Sequence, residues 1–282
     1  MIRPVHRGWR LVYPPFLVLT ALSTLILYLV ATDTDDLFAW TIRPPVTAAF
    51  LGAGYASGFV LMALTVRERV WANARVALVT VLVFTVCTLG ATLAHLSNFH
   101  FDRTGLPRAA AWIWLAIYVA VPVTMATVLV LQLRLPGGDP PVRRELPAGL
   151  RTVLGAQCLV LVGVGAALLV DPAWVAPGWP WPITPLTGRA IGAWCLPLGV
   201  AAAMVVRERD AWRLRAAAVT YVVLGVLHLG ALVRFREDIR WGEPQTWVYL
   251  VVLVSMIATG GWGRALAADG AAEPTAQLSG TK

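Results

Sequence analysis

Charge is what this sequence has least of. Asp, Glu, Lys and Arg together make up 13% of 282 residues, against about 25% in an ordinary soluble domain. Lysine is nearly absent, with Lys282 its sole representative. Hydrophobic residues reach 58% and mean hydropathy is +0.70. Too little polar surface is left to coat a globule in water. That excludes a cytosolic enzyme, a secreted disulfide scaffold and a disordered chain. The three cysteines, Cys87, Cys158 and Cys195, fall in apolar stretches without metal-ligand spacing or an obvious pairing, so they read as buried thiols. No Gly-rich phosphate loop, nucleophile elbow or Cys pair occurs, and neither a metal nor another cofactor is predicted.

What the sequence has in quantity is long apolar runs. A hydrocarbon core about 30 Å thick needs roughly 20 apolar residues in a helix. Eight stretches meet or approach this: 11–31, 46–66, 76–96, 109–131, 152–170, 190–206, 216–233 and 246–263. The basic start before the first run resembles a signal peptide. The run is longer than a signal core and no A-x-A site follows, so it reads as a retained span. The expected class is all-α: a polytopic membrane protein with eight transmembrane helices. Residues 268–282 are small and polar and read as a disordered tail.

Orientation follows from the basic residues outside the runs. Sixteen of the 23 lie at the N-terminus, in the second, fourth and sixth loops and in the tail; seven lie on the other side. Both termini are therefore expected in the cytoplasm and the chain in the cell membrane. The net charge of +8 belongs to topology, so nucleic acid is dropped as a partner. The 13 Trp residues cluster near the ends of the runs, as interfacial anchors do.

The sequence also repeats itself. Seven of fourteen positions match between Arg67-Glu68-Arg69 onward and Arg207-Glu208-Arg209 onward, at a shift of 140. The same shift pairs Thr47 with Thr187, Gly52 with Gly192, and Leu89-Gly90-Ala91 with Leu229-Gly230-Ala231; a shift of 135 pairs Trp112 with Trp247. This predicts two parallel four-helix repeats, 1–133 and 150–267, joined by a Pro/Gly-rich cytoplasmic linker, 134–149. Gly54-x-x-x-Gly58 predicts close helix packing.

No acidic or basic residue falls within the eight runs as drawn, which argues against proton- or ion-coupled transporters, pumps and voltage sensors. Sodium sites can use carbonyls and hydroxyls, and Pro122 and Pro197 mark positions where a helix could break to supply them. Thr88, Thr92 and His95 share one face of the third run; Tyr221 and His228 share a face of the seventh. These five are the candidate ligand-binding residues. Bis-histidine haem ligation does not fit, because His95 lies seven residues beyond the register equivalent of His228. Asn98, His100 and Asp102 form an outer polar cluster beside His95. Arg43, Arg189, Arg67, Arg69, Arg207 and Arg209 are placed to meet lipid headgroups.

The expected function is binding of a lipid, another lipophilic small molecule or a partner helix of a membrane protein, at the repeat interface towards the outer leaflet. A metal-dependent or acid/base enzyme built on His95, His100 and Asp102 is one alternative. An uncoupled or sodium-type small-molecule transporter is the other. The orientation is directly testable: Arg67→Cys and Arg207→Cys should resist a membrane-impermeant maleimide added to intact cells, whereas Arg103→Cys should react. Labelling of the first two from outside would reverse the topology.

Overall fold

The computed structural model describes residues 1–272. Helix α1 (Trp9–Thr24) runs on through a π-helical turn, Leu25–Leu29, and is followed by the short α2 (Thr34–Leu37). Then come α3 (Pro45–Thr65), α4 (Trp71–Leu93), α5 (Gly105–Leu133) and α6 (Ala148–Val170). The chain closes with α7 (Pro185–Glu208), α8 (Arg215–Arg234) and α9 (Pro244–Ala272). All but α2 are long and apolar enough to cross a membrane, which gives the eight expected spans. No strand forms among the described residues, only isolated bridges. Pro122 and Pro197 sit inside unbroken helices, so the expected breaks do not occur. Helix α9 continues past the expected start of the tail to Ala272; the rest of the tail lies outside the described residues.

Helices α3, α4, α7 and α8 form an inner group, with α3 packed on α8 and α4 on α7. Outside them, α1 lies on α3, α5 on α4, α6 on α7 and α9 on α8. The inner helices are mostly buried and the outer ones mostly exposed, with Val248, Val251 and Val254 on the outer face of α9. Such faces suit a solvent of lipid tails. Close approach rests on glycine. A Cβ on Gly52 would lie 2.6 Å from the Tyr28 backbone nitrogen, and one on Gly192 would lie 2.9 Å from the Gly165 carbonyl oxygen. The Gly54-x-x-x-Gly58 motif does something other than expected. A Gly54 Cβ would meet the Trp194 ring at 2.7 Å, so this glycine receives an indole from α7 rather than a helix backbone.

Several helices begin earlier than hydropathy marks them, and this brings charge into the bundle. Arg75 lies in the second turn of α4 and pairs with Glu208 at the end of α7. Arg215, at the start of α8, pairs with Glu68 in the loop before α4. Glu208 also takes Arg213 at 2.7 Å, and Arg75 takes Asp139 at 2.7 Å. The Arg-Glu-Arg loops thus bind the inner helices to one another as well as ending them. On this same face, the one bearing the N-terminus, Trp71 N–H donates to Arg3 O and Val5 N–H to Arg69 O. In the same pattern, Ala211 N–H donates to Arg144 O and Leu146 N–H to Arg209 O. The linker is therefore tied to the bundle.

The tryptophans also depart from expectation. Trp9, Trp40, Trp71, Trp114, Trp179, Trp181 and Trp194 are buried in the packing, so they are core residues. Trp112, Trp174, Trp241, Trp247 and Trp262 remain exposed enough to anchor at an interface. Hydropathy sees Trp near helix ends; it does not see that Trp9, Trp71, Trp114 and Trp194 leave their helices towards neighbouring helices, or that the distal loops fold Trp40, Trp179 and Trp181 inward.

Removing one partner of a buried ion pair strands the other, at a cost of about 3–5 kcal/mol. Glu208 is buried and holds two guanidinium groups, whereas Glu68 is less enclosed. Glu208→Ala should therefore lower the unfolding temperature in detergent well below that of Glu68→Ala. Equal shifts would show that burial does not govern this cluster.

Candidate functional site

The five stripe residues occupy separate surroundings. Thr88 and Thr92 donate back to the Phe84 and Thr88 carbonyls at 2.9 and 2.8 Å, and Thr92 also accepts from Trp114 Nε1 at 3.0 Å. Tyr221 donates to Leu198 O at 3.2 Å. His95 lies just past the end of α4, where its Nε2 accepts from Arg189 Nη1 at 2.8 Å. Arg189 also donates to the Leu169 and Val170 carbonyls, both at 3.1 Å. It therefore caps the C-terminal end of α6, where the helix dipole favours a cation, and is not free for a lipid headgroup.

His228 alone of the five faces a sizeable cavity, one of about 530 Å³. Its walls come from α6, α7, α8 and α9, with Phe50 of α3 closing the inner side and Trp179 and Pro180 roofing the distal end. From Pro244 to Met256 the lining spans twelve helical steps of α9, or about 18 Å at 1.5 Å per residue. Two of its lining residues, Val160 of α6 and Val248 of α9, are 45% and 62% exposed, so the cavity reaches the bilayer-facing surface between those helices.

The cavity is almost wholly apolar, with a few neutral polar groups. His228 stacks on Phe50 with ring centroids 4.3 Å apart, and its Nε2 lies 3.2 Å from Phe50 O. With the proton on Nε2, that contact is a donated hydrogen bond, and Nδ1 is left to accept from the Tyr249 hydroxyl at 3.4 Å. Trp179 Nε1 is buried without a hydrogen-bond partner. A buried donor left unmade is costly, and here it sits on a residue that lines the cavity.

The positions matched by the sequence shift explain why space opens here. Tyr55, Phe84, Trp114 and Tyr118 correspond to Cys195, Leu224, Tyr249 and Leu253. The first set packs solid. Tyr55 and Tyr118 hydroxyls meet at 2.7 Å, Trp114 and Tyr118 centroids lie 4.4 Å apart, and Trp194 fills in against Phe84 at 4.0 Å. The second set is smaller at all four positions, and the difference in volume is left empty. The sequence reads Cys195 as a buried thiol and Trp179 as an interfacial anchor, and it singles out neither Tyr249 nor Phe50 for a site. The register that aligns Trp112 with Trp247 would have exposed the loss of bulk.

The outer polar cluster lines a second recess of about 420 Å³. His100 is buried, with Nδ1 3.1 Å from Phe38 O and Nε2 3.0 Å from the Thr41 hydroxyl; that hydroxyl donates to Asp35. Asp35 in turn takes Arg103 at 2.8 Å. The Thr41 hydroxyl first, then Arg103, hold the Asp35 carboxyl below its ordinary value. These bonds fasten the α2 segment to the loop before α5. Asn98 and Asp102 are exposed at the rim. Among the described residues no three His, Cys, Asp or Glu side chains are grouped to hold a metal, and His95 turns away to Arg189. The ligand set required by the metal-enzyme alternative does not assemble.

The geometry defines a multi-pass helical membrane protein with a large, laterally reachable apolar cavity. No family model matches the chain, and no curated protein or solved structure is significantly similar to it.

Desolvation, and then the Arg189 cation, hold His95 below its ordinary value of 6.5, with an Asn98 hydrogen bond opposing them. The unfolded chain therefore binds more protons than the folded one as pH falls through about 6.5. Stability from this contact is present above that pH and is lost on acidification through the lower folded value. Thermal unfolding of wild type should decline more steeply below about pH 6.5 than that of His95→Gln, whose amide oxygen still accepts from Arg189. Parallel acid branches would remove His95 from the titration.

Proposed function

We propose that the protein binds the apolar chain of a membrane lipid or a similar lipophilic molecule in the α6–α9 cavity, taking it sideways from the leaflet on the distal side. The cavity itself is the observation that carries this reading. Its volume lies within the roughly 300–1,000 Å³ of ligand sites, and its length covers more than half of a hydrocarbon core about 30 Å thick. The uncharged lining favours a neutral chain, and Trp179 Nε1 and the Tyr249 oxygen offer hydrogen bonds to a hydroxyl or ester near the distal end.

The reading includes two parallel four-helix repeats. It is supported by the matched hydrogen bonds at Arg3, Arg69, Arg144 and Arg209, and by the exchange of ion pairs between Arg-Glu-Arg segments. On this view the first repeat has packed its cavity with aromatic rings and the second has kept it open. The arginine distribution places both termini in the cytoplasm of a cell-membrane protein, with the cavity towards the outer leaflet. Arg43, Arg67, Arg69, Arg207 and Arg209 are exposed and positioned for headgroups.

Leu224→Phe restores at the cavity wall the ring that Phe84 supplies in the other half. A diazirine-bearing acyl lipid should label wild type on α6 or α9, and Leu224→Phe should cut that labelling several-fold while leaving the protein folded. A smaller cavity change, Cys195→Leu, should reduce it by less. Undiminished labelling of a folded Leu224→Phe protein would dismiss the cavity as the lipid site.

A further inference from the structure

The opposite face carries a second feature that the lipid cavity does not need. A recess of about 460 Å³ opens at the N-terminal end of α1, between the N-terminal segment and the first Arg-Glu-Arg loop. Arg7, Arg10, Arg67 and Arg69 line it, and none of their guanidinium groups has a hydrogen-bond or ion-pair partner among the described residues. Glu68 supplies the single carboxylate on the wall. It is already engaged by Arg215 and by the Asn73 amide at 3.3 Å. The positive end of the α1 dipole points to the same place.

The inner wall adds an independent indication. Trp9 and Tyr13 line the recess, are 1% and 3% exposed, and keep Nε1 and Oη buried with no hydrogen-bond partner. At a shift of 141, the one that relates Arg3 and Val5 to Arg144 and Leu146 in the hydrogen bonds above, stand Leu150 and Leu154, which are buried in an apolar cluster. Leucine therefore serves the same frame. Two unpaired donors next to four unpaired cations indicate an anion that is bound rather than a merely basic surface. Fixed N–H and O–H donors combined with guanidinium forks are what a phosphate group takes.

We infer that this recess is a binding site for a phosphate-bearing anion, held by Arg7, Arg10, Arg67 and Arg69, with Trp9 and Tyr13 donating from within. The phosphate could come from a lipid headgroup on that side of the bilayer or from a free phosphate, and the two sources are separable. The inference stands apart from the distal cavity, and loss of either site would leave the other testable.

The test uses the full chain in a neutral detergent, with thermal unfolding followed as short-chain phosphatidic acid, inorganic phosphate or short-chain phosphatidylcholine is titrated. Phosphatidic acid should raise the unfolding temperature and phosphatidylcholine should not. A rise with inorganic phosphate alone would assign the site to free phosphate; a rise confined to phosphatidic acid would assign it to a headgroup. Either result supports the site. Arg67→Gln with Arg69→Gln should weaken binding by about tenfold or more, whereas Arg108→Gln with Arg236→Gln, exposed on the opposite face, should leave it unchanged. Tyr13→Phe should leave the unliganded protein at least as stable and still weaken binding, which a purely structural tyrosine would not do. The inference is overturned if neither phosphate probe shifts unfolding, if both arginine pairs weaken binding alike, or if Tyr13→Phe binds as wild type does.

Discussion

Hydrocarbon gives an apolar helix no reason to seek another, so contact between spans has to be earned by shape and by polar groups that find partners. Here both means act between the same inner helices. Trp194 of α7 drops onto Gly54 of α3, and Phe50 of α3 reaches across to stack on His228 of α8. At one end of the bundle Glu208 holds Arg75 while Arg215 holds Glu68. Each half thus supplies an acid to the other's base and a ring to the other's hollow. The outer helices attach to this frame and leave broad faces for lipid.

The cavity is a product of that frame and of a few side-chain sizes. Where the first half of the sequence has Tyr55, Phe84, Trp114 and Tyr118, the positions matched by the sequence shift hold Cys195, Leu224, Tyr249 and Leu253. Interiors are packed to crystal-like density, and a large unfilled volume stands out against that rule. Its polar groups are neutral, so a full charge there would be desolvated without a counter-ion. The recess on the opposite face has the reverse character, with Arg7, Arg10, Arg67 and Arg69 on its walls.

The number of spans was legible because about 20 apolar residues in a row have few other uses. The polar stripe was legible as a set of faces, yet periodicity says which way a side chain leaves its helix and nothing about what it meets. Thr88 and Thr92 return their hydroxyls to their own helix, a bond always within reach of threonine there. Arg75 and Arg189 were assigned to loops because hydropathy ends a span at the first charge, whereas a paired guanidinium lets the helix continue. The buried tryptophans were hidden for a related reason: indole is common both in cores and at interfaces. The empty volume required comparing the two halves position by position, since the signal was a difference in bulk.

The exchanged ion pairs also set an order on biogenesis. When the ribosome has completed α4, Arg75 has been made, but Glu208 lies more than a hundred residues further along the message and has not been translated. The first four spans must therefore wait beside the insertion machinery with the partly exposed Asp139 of the linker as the acid available to Arg75. Only when the loop between α7 and α8 leaves the exit tunnel can the assembly lock. A nascent chain truncated before Glu208 leaves Arg75 without its buried acid.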